Sequence, residues 1–236
     1  MPVSRLHQSL IALSAALAIL GSTLGGAAIW LHYIAKPLAT LLIAALVWRH
    51  ATPATYAAYR RALLAGLGFS WLGDVLLMLP KSTLALGFEL GLASFLLAHL
   101  CFLRALTRDA RWARPLWPLL FLLLIGCANL AVLWPGIGAA LRPPVLAYML
   151  CLVAMSAQAI ARARSLATPA SSLAALGGLL FLSSDTLLAY NKFYAPLPAS
   201  ALLVLGTYYA ALYLLARSLP AGAGAALSGL TSSSRT

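Results

Sequence analysis

Acid is what this chain has least of. Its 236 residues include four carboxylate side chains, Asp74, Glu89, Asp109 and Asp185, against sixteen lysines and arginines. Charged residues of either sign make up 8% of the sequence and hydrophobic residues 63%, with a mean hydropathy of +0.94. A soluble domain of this length has no interior large enough to hide so much apolar surface. Cysteine is scarce as well. Cys101, Cys127 and Cys151 are odd in number, lie in or beside apolar runs and lack metal-ligand spacing. They read as small core residues rather than a disulfide framework or a metal site. The sustained alternation of an outer-membrane strand is missing, which excludes a β-barrel. The net charge of +12 invites a nucleic-acid reading, but the basic residues flank apolar runs singly or in small groups. No soluble basic face remains for a polyanion. Nothing in the sequence calls for a metal or other cofactor, or for a protein partner.

What the chain has in abundance is apolar runs of about twenty residues, the length that crosses a bilayer as a helix. The fold class is all-α, a polytopic bundle of eight transmembrane helices. The spans are predicted at 8–24, 27–48, 59–79, 83–104, 115–134, 143–162, 171–190 and 198–217. Gly25-Gly26, Thr52-Pro53, Pro80, Pro115, Pro135-Gly136, Pro143-Pro144, Pro169 and Pro196/Pro198 fall at or near these ends. Residues 1–218 form one membrane domain, and the Ala/Gly/Ser-rich segment 219–236 is expected to be a disordered tail. Arg5 followed by Leu10–Leu20 has the outline of a signal peptide. No small-x-small cleavage site precedes the next apolar run, so the segment reads as an uncleaved first span. Arg5, Arg49, Arg60, Arg61, Arg104, Arg108, Arg111, Arg114, Arg162, Arg164, Arg217 and Arg235 then fall on one side, with Lys81, Arg142 and Lys192 on the other. The positive-inside rule places both termini in the cytoplasm. A bacterial inner membrane suits an α-helical bundle with this arginine bias.

Two of the four acids lie inside predicted spans. Asp74 sits in the third and Asp185 in the seventh, each about six residues from the non-cytoplasmic end, or about 9 Å at 1.5 Å per residue. Lys36 lies at a similar depth in the second span, Tyr208 and Tyr209 near the middle of the eighth, and His32 is shallower in the second. Ionised groups in hydrocarbon are costly and usually face a protein interior or a wet cavity. The expectation is one shared polar cavity in the non-cytoplasmic half, where these groups neutralise each other. A purely structural Lys–Asp pair that locks helix packing is the competing reading. Ser70, one turn before Asp74, suits either a bond to that carboxylate or a helix contact. Gly66 and Gly73 mark a close approach of two helices. Lys192, seven residues after Asp185, either reaches the interface or closes the cavity mouth on a phosphate. His99 suits a packing role as well as a site, and Glu89 lies near the outer interface.

At these residues the chain resembles the YhhN-like membrane proteins, whose animal members are lysoplasmalogenases. The matching stretches are Ile34-Ala-Lys-Pro-Leu38, Gly73-Asp-Val-Leu-Leu77, Phe95-Leu-Leu-Ala-His99, Ser184-Asp-Thr-Leu-Leu-Ala-Tyr-Asn-Lys-Phe193 and Thr207-Tyr-Tyr209. They run in family order from the second span to the eighth. Phe102 departs from the pattern, standing where a tyrosine is expected, and Glu89 belongs to none of the motifs. The resemblance implies hydrolysis of the vinyl ether of a lysoplasmalogen, a lysophospholipid held in the membrane, to a fatty aldehyde and glycerophospho-ethanolamine or -choline. Carried over by position, Lys36, Asp74, His99, Asp185, Asn191 and Lys192 are the implied active residues.

Vinyl ether cleavage needs a proton donor and a negative group beside the cation that develops. Two carboxyl groups in unequal surroundings meet both needs. The reading favours Asp185 as donor and Asp74 as the ionised partner of Lys36, and leaves the reverse assignment open. Two alternatives stand beside it. One is an intramembrane aspartyl protease, although Trp71 occupies the first glycine of the Gly-x-Gly-Asp signature. The other is a non-enzymatic transporter of lipids or small molecules that uses the same ion pair, which broken helices or inverted repeats would favour.

Overall fold

The computed structural model describes residues 4–80 and 82–220. Eight helices cover them: α1 Arg5–Leu24, α2 Ile29–Arg49, α3 Ala57–Met78, α4 Gly87–Leu106, α5 Trp117–Leu133, α6 Arg142–Leu166, α7 Pro169–Phe193 and α8 Ser200–Arg217. No strand occurs among the described residues. With their short flanking 3₁₀ turns, all eight are long and apolar enough to cross a membrane, and the protein is an integral membrane protein. The predicted boundaries agree within a few residues. Lys81, Arg235 and the part of the predicted tail from 221 onward lie outside the described residues.

Helix starts and stops follow local chemistry. Ser4 caps α1 by accepting from the His7 amide. Thr168 caps α7 in a box with Ser171, and Pro169, which has no N–H to leave orphaned, takes the first helical position. Inside α2, Pro37 cannot donate to the carbonyl of Tyr33. Such a break in the helical ladder is tolerated at membrane depth where protein or a cavity surrounds it, and Lys36 adjoins it.

The helices pack in a circuit, α1–α2–α3–α4–α6–α7–α8 and back to α1, with α5 set outside against α6 and touching α7. Lipid offers little hydrophobic drive for helix association, so close approach through small residues carries much of the packing. The α3–α4 pair shows it. A β-carbon on Gly66 would lie 2.3 Å from the Phe102 ring, and one on Gly73 would lie 2.7 Å from Phe95. The two glycines are the notches into which the α4 aromatics fit. Phe102 is fully buried there, and Phe95 reaches on to the Tyr208 ring, with centroids 5.9 Å apart.

One arginine is buried in the bundle. Arg162, near the end of α6, is 1% exposed and grips Asp109 of the α4–α5 loop through Nε at 2.7 Å and Nη2 at 2.6 Å. Its guanidinium also lies over the Tyr59 ring. Gln158, one turn earlier, accepts from the Ala113 amide and donates to the Leu106 carbonyl. The loop at this end of the bundle is thus bonded to α6 rather than left free.

The α3–α4 fit is testable. Gly66→Ala forces a methyl group into the Phe102 ring and lowers stability by about 1–3 kcal/mol, as overpacking does. Adding Phe102→Leu to the same chain restores part of that loss. Thermal unfolding in detergent measures both, and an unaffected Gly66→Ala protein would show that the notch is not filled.

Candidate active site

Three helices meet at Asp74. The carboxylate is 1% exposed, and its Oδ2 accepts hydrogen bonds from Thr40 Oγ1 at 2.8 Å and Tyr208 OH at 2.7 Å. Lys36 Nζ stands 3.4 Å from Oδ1, and Lys36 is itself buried. Lys36 and Thr40 are one turn apart on the same face of α2, so one helix supplies both the counter-charge and a hydroxyl. Tyr208 brings in α8. Bonds to an ionised group are the strong ones, and a buried carboxylate needs such a set to be tolerated at all.

Asp185 on α7 has different company. Its Oδ2 accepts from Tyr148 OH of α6 at 2.6 Å, and His99 Nε2 of α4 lies 3.5 Å from the same oxygen without hydrogen-bond alignment. No lysine or arginine among the described residues pairs with it. The two acids are joined by rings. His99 meets Tyr148 and Phe181 edge-on, with centroids 5.1 and 4.6 Å apart, and Phe181 meets Tyr208 at 5.6 Å.

Two cavities meet at this point. One, of about 290 Å³, is the more polar and is lined by Lys36, Asp74, His32, Asn191, Ser200 and Tyr208, together with aliphatic side chains. The second, of about 460 Å³, lies between α4, α5, α6 and α7 and is walled almost entirely by aliphatic and aromatic side chains. Its size falls within the roughly 300–1,000 Å³ of small-molecule pockets. Asp185, Leu77, Phe95 and Leu188 line both spaces. Asp185 is the acid on that shared wall, and Asp74 faces the polar cavity alone.

The structure brings Lys36, Asp74, Asp185, Asn191 and Tyr208 around the polar cavity. Asn191 also accepts from the Leu197 amide, which fastens the α7–α8 turn. His32 is there too, donating from Nδ1 to the Ala18 carbonyl at 2.9 Å. The expectation for Tyr209 needs correction, while Lys192, Ser70 and His99 each carried two readings. Lys192 does not close the polar cavity: it lines the outer part of the apolar one, with its ammonium 4.8 Å from the centre of the Phe88 ring. Tyr209 lines neither cavity, because the next residue on a helix is turned by about 100°, and its buried hydroxyl has no hydrogen-bond partner among the described residues. Ser70 is buried but makes no bond to Asp74. His99, read as either a packing or a site residue, is fully buried beside Asp185. Glu89 is exposed at the start of α4.

Two polar partners escaped the sequence reading. Thr40 carried a signal, since it follows Lys36 by one helical turn. Tyr148 carried none, because nothing in the sequence says that α6 and α7 are neighbours at that height.

Chemically, the arrangement suits an amphiphile. A hydrocarbon chain fits the apolar space, polar groups and water fit the other, and a carboxyl group with no counter-cation stands at the junction.

The model of the YhhN family matches residues 31–219 of the chain. The human protein named lysoplasmalogenase TMEM86B is 32% identical over 194 residues, which cover 80% of this chain and 75% of the human one. A protein of Mycobacterium tuberculosis named lysoplasmalogenase is 36% identical over 158 residues, 64% of this chain and 58% of the relative. The match with that relative therefore spans less than two thirds of its length. The Escherichia coli O157:H7 protein YhhN, described as an uncharacterized membrane protein, is 33% identical over 105 residues, 44% of this chain and 47% of its own. No solved structure matches the chain.

The Lys36–Asp74 pair predicts a specific asymmetry. Lys36→Met strands a buried carboxylate and costs about 3–5 kcal/mol of stability. Lys36→Met combined with Asp74→Asn removes both charges and recovers most of that. Thermal unfolding of the detergent-solubilised variants measures the coupling, and equal losses in the single and double variants would deny it.

Proposed function

The chain belongs to the YhhN family, and from that premise we propose that it is a lysoplasmalogenase-like hydrolase. It cleaves the vinyl ether of a lysoplasmalogen by carboxylic acid–base catalysis. The observation that carries this reading is the place of Asp185 on the wall between an apolar and a polar cavity. The alkenyl chain takes the apolar space, the glycerophospho end and the attacking water take the polar one, and the vinyl ether lies at the junction. The relatives named lysoplasmalogenase support the same assignment.

The chemistry follows the unequal surroundings of the two acids. Asp74 has a lysine, a threonine hydroxyl and a tyrosine hydroxyl to hold its negative charge. Asp185 has no cation and is the group that carries a proton. It delivers that proton to the vinyl carbon remote from oxygen, and the neighbouring carbon becomes the positive end of an oxocarbenium ion. Asp74, across the polar cavity, stabilises that charge. A water molecule then adds to the cationic carbon and gives up a proton to the Asp185 carboxylate. The resulting hemiacetal breaks its bond to the glycerol oxygen, which leaves with a proton as the free hydroxyl, and the chain departs as an aldehyde. One water is consumed and no redox partner is needed. Lys36, held on Asp74, and Asn191 present donors toward the phosphate end in the polar cavity. His99 stays with Asp185.

The protease and transporter readings lose ground. An aspartyl dyad shares one proton between two carboxyl groups, whereas here each carboxyl has its own partners on different helices. Our reading of the orientation puts both termini in the cytoplasm, the bundle in a bacterial inner membrane and the site in the non-cytoplasmic half, and the charge bias of the helix ends supports it. Lys192 and Arg142 sit at the sparsely charged end and Arg49, Arg104 and Arg217 at the other.

The direct test is incubation of the purified chain with 1-alkenyl and 1-acyl lysophospholipids. Fatty aldehyde is expected from the alkenyl lipid, and free fatty acid released from the acyl lipid instead would replace this reading with another lipid hydrolase. Positioned acid–base groups contribute about 10²–10⁴-fold. Asp185→Asn and Asp74→Asn should each lower turnover by that order while the protein still folds, and near-normal turnover in either would remove the mechanism.

A further inference from the structure

We propose that Tyr148 is a positioning residue for this reaction, one that makes Oδ1 of Asp185 the oxygen bearing the transferable proton. The inference rests on the hydrolase reading above and deepens it.

A protonated carboxyl group has two oxygens with different duties: one carries the hydrogen, and the other can only accept. Which is which decides whether the proton points at substrate or into the protein. At Asp185 the geometry makes the choice. Tyr148 OH lies 2.6 Å from Oδ2. Its hydrogen has no other acceptor among the described residues, so it is directed to Oδ2. His99 Nε2 approaches the same oxygen, at 3.5 Å. Oδ2 is therefore turned toward α4 and α6 and engaged by protein. Oδ1 receives no hydrogen bond from the described residues, and Asp185 lines both cavities. An accepting Oδ2 leaves the acid hydrogen on Oδ1, free for the substrate.

The phenol is held in turn. The His99 ring packs edge-on against Tyr148, with centroids 5.1 Å apart, and also against Phe181. Tyr148 itself also lines the apolar cavity. Asp74 has nothing equivalent. Its three donors crowd both oxygens, which suits a fixed charge and not a proton donor.

The test uses the full chain in detergent with a 1-alkenyl lysophospholipid. Tyr148→Phe keeps the ring against His99 and removes only the hydroxyl. Turnover should fall about tenfold, the weight of one hydrogen bond, with KM changed less than twofold and a larger solvent deuterium isotope effect as proton transfer becomes slower. Because Tyr148 acts through Asp185, adding Tyr148→Phe to Asp185→Asn should cause no further loss. If Tyr148→Phe fails to fold, 3,5-difluorotyrosine at position 148 keeps the ring and alters the phenol's acidity, and the rate should change with it. Unchanged turnover and isotope effect, or losses that multiply in the double variant, overturn the proposal alone. A wild-type chain that releases no aldehyde overturns the hydrolase reading, and this inference with it.

Discussion

The bundle is organised around one ion pair, Lys36 with Asp74. Bringing either charge out of water costs several kcal/mol. Their attraction at 3.4 Å returns on the order of 5 kcal/mol at an effective dielectric near 20. The two terms are comparable, so the pair adds little net stability. What it does is constrain. With Thr40 and Tyr208 added, one carboxylate ties α2, α3 and α8 together at a single height. Any sliding or rotation of those helices strands a charge in hydrocarbon. Pro37 interrupts the α2 ladder directly beside Lys36.

That constraint leaves the second acid free to be different. Asp74 uses the lysine, and no other lysine or arginine among the described residues reaches Asp185. Two carboxyl groups of identical chemistry thereby stand in different surroundings, the condition that the proposed division into donor and charge requires. The ring contacts from Tyr148 through His99 and Phe181 to Tyr208 keep the two at fixed separation without joining them by a hydrogen bond. A shared proton would erase the difference that the proposed chemistry needs.

Depth was legible in the sequence and direction was not. Spans and their ends follow from apolar run length and from glycine and proline positions. The rise per residue then puts Lys36, Asp74 and Asp185 in one layer, and the structure brings them to one cavity. Gly66 and Gly73 announced a close helix approach because seven residues make two turns on one face, and the structure identifies α4 as the partner. Azimuth is harder. Lys192 shares a helix and nearly a face with Asp185, yet two turns of drift and a flexible stem carry its ammonium over Phe88. Tyr208 and Tyr209 are adjacent in sequence and point to different surroundings. Tyr148 could not be found at all, since its role depends on α6 packing against α7, a fact of tertiary order. Arg162 was read as a topological charge. Its buried grip on Asp109 depends on a loop folding back, which hydropathy does not encode.

A vinyl ether in a membrane lipid poses a physical problem that this architecture answers. The reactive bond lies at the base of the chain, close to the apolar region, while its cleavage consumes water. A uniformly apolar pocket would accept the lipid and exclude the co-reactant. A uniformly polar one would admit water and leave the hydrocarbon unsolvated. Two spaces that share a short wall solve this only if the wall carries the reactive group, and among its four members Leu77, Phe95 and Leu188 are inert and Asp185 is not. The polar side must stay open against the tendency of side chains to collapse into it. The ion pair does that, because closing the space would strip from Lys36 and Asp74 whatever hydration they retain. The same electrostatic cost that makes an intramembrane acid rare thus keeps a place for water next to the lipid.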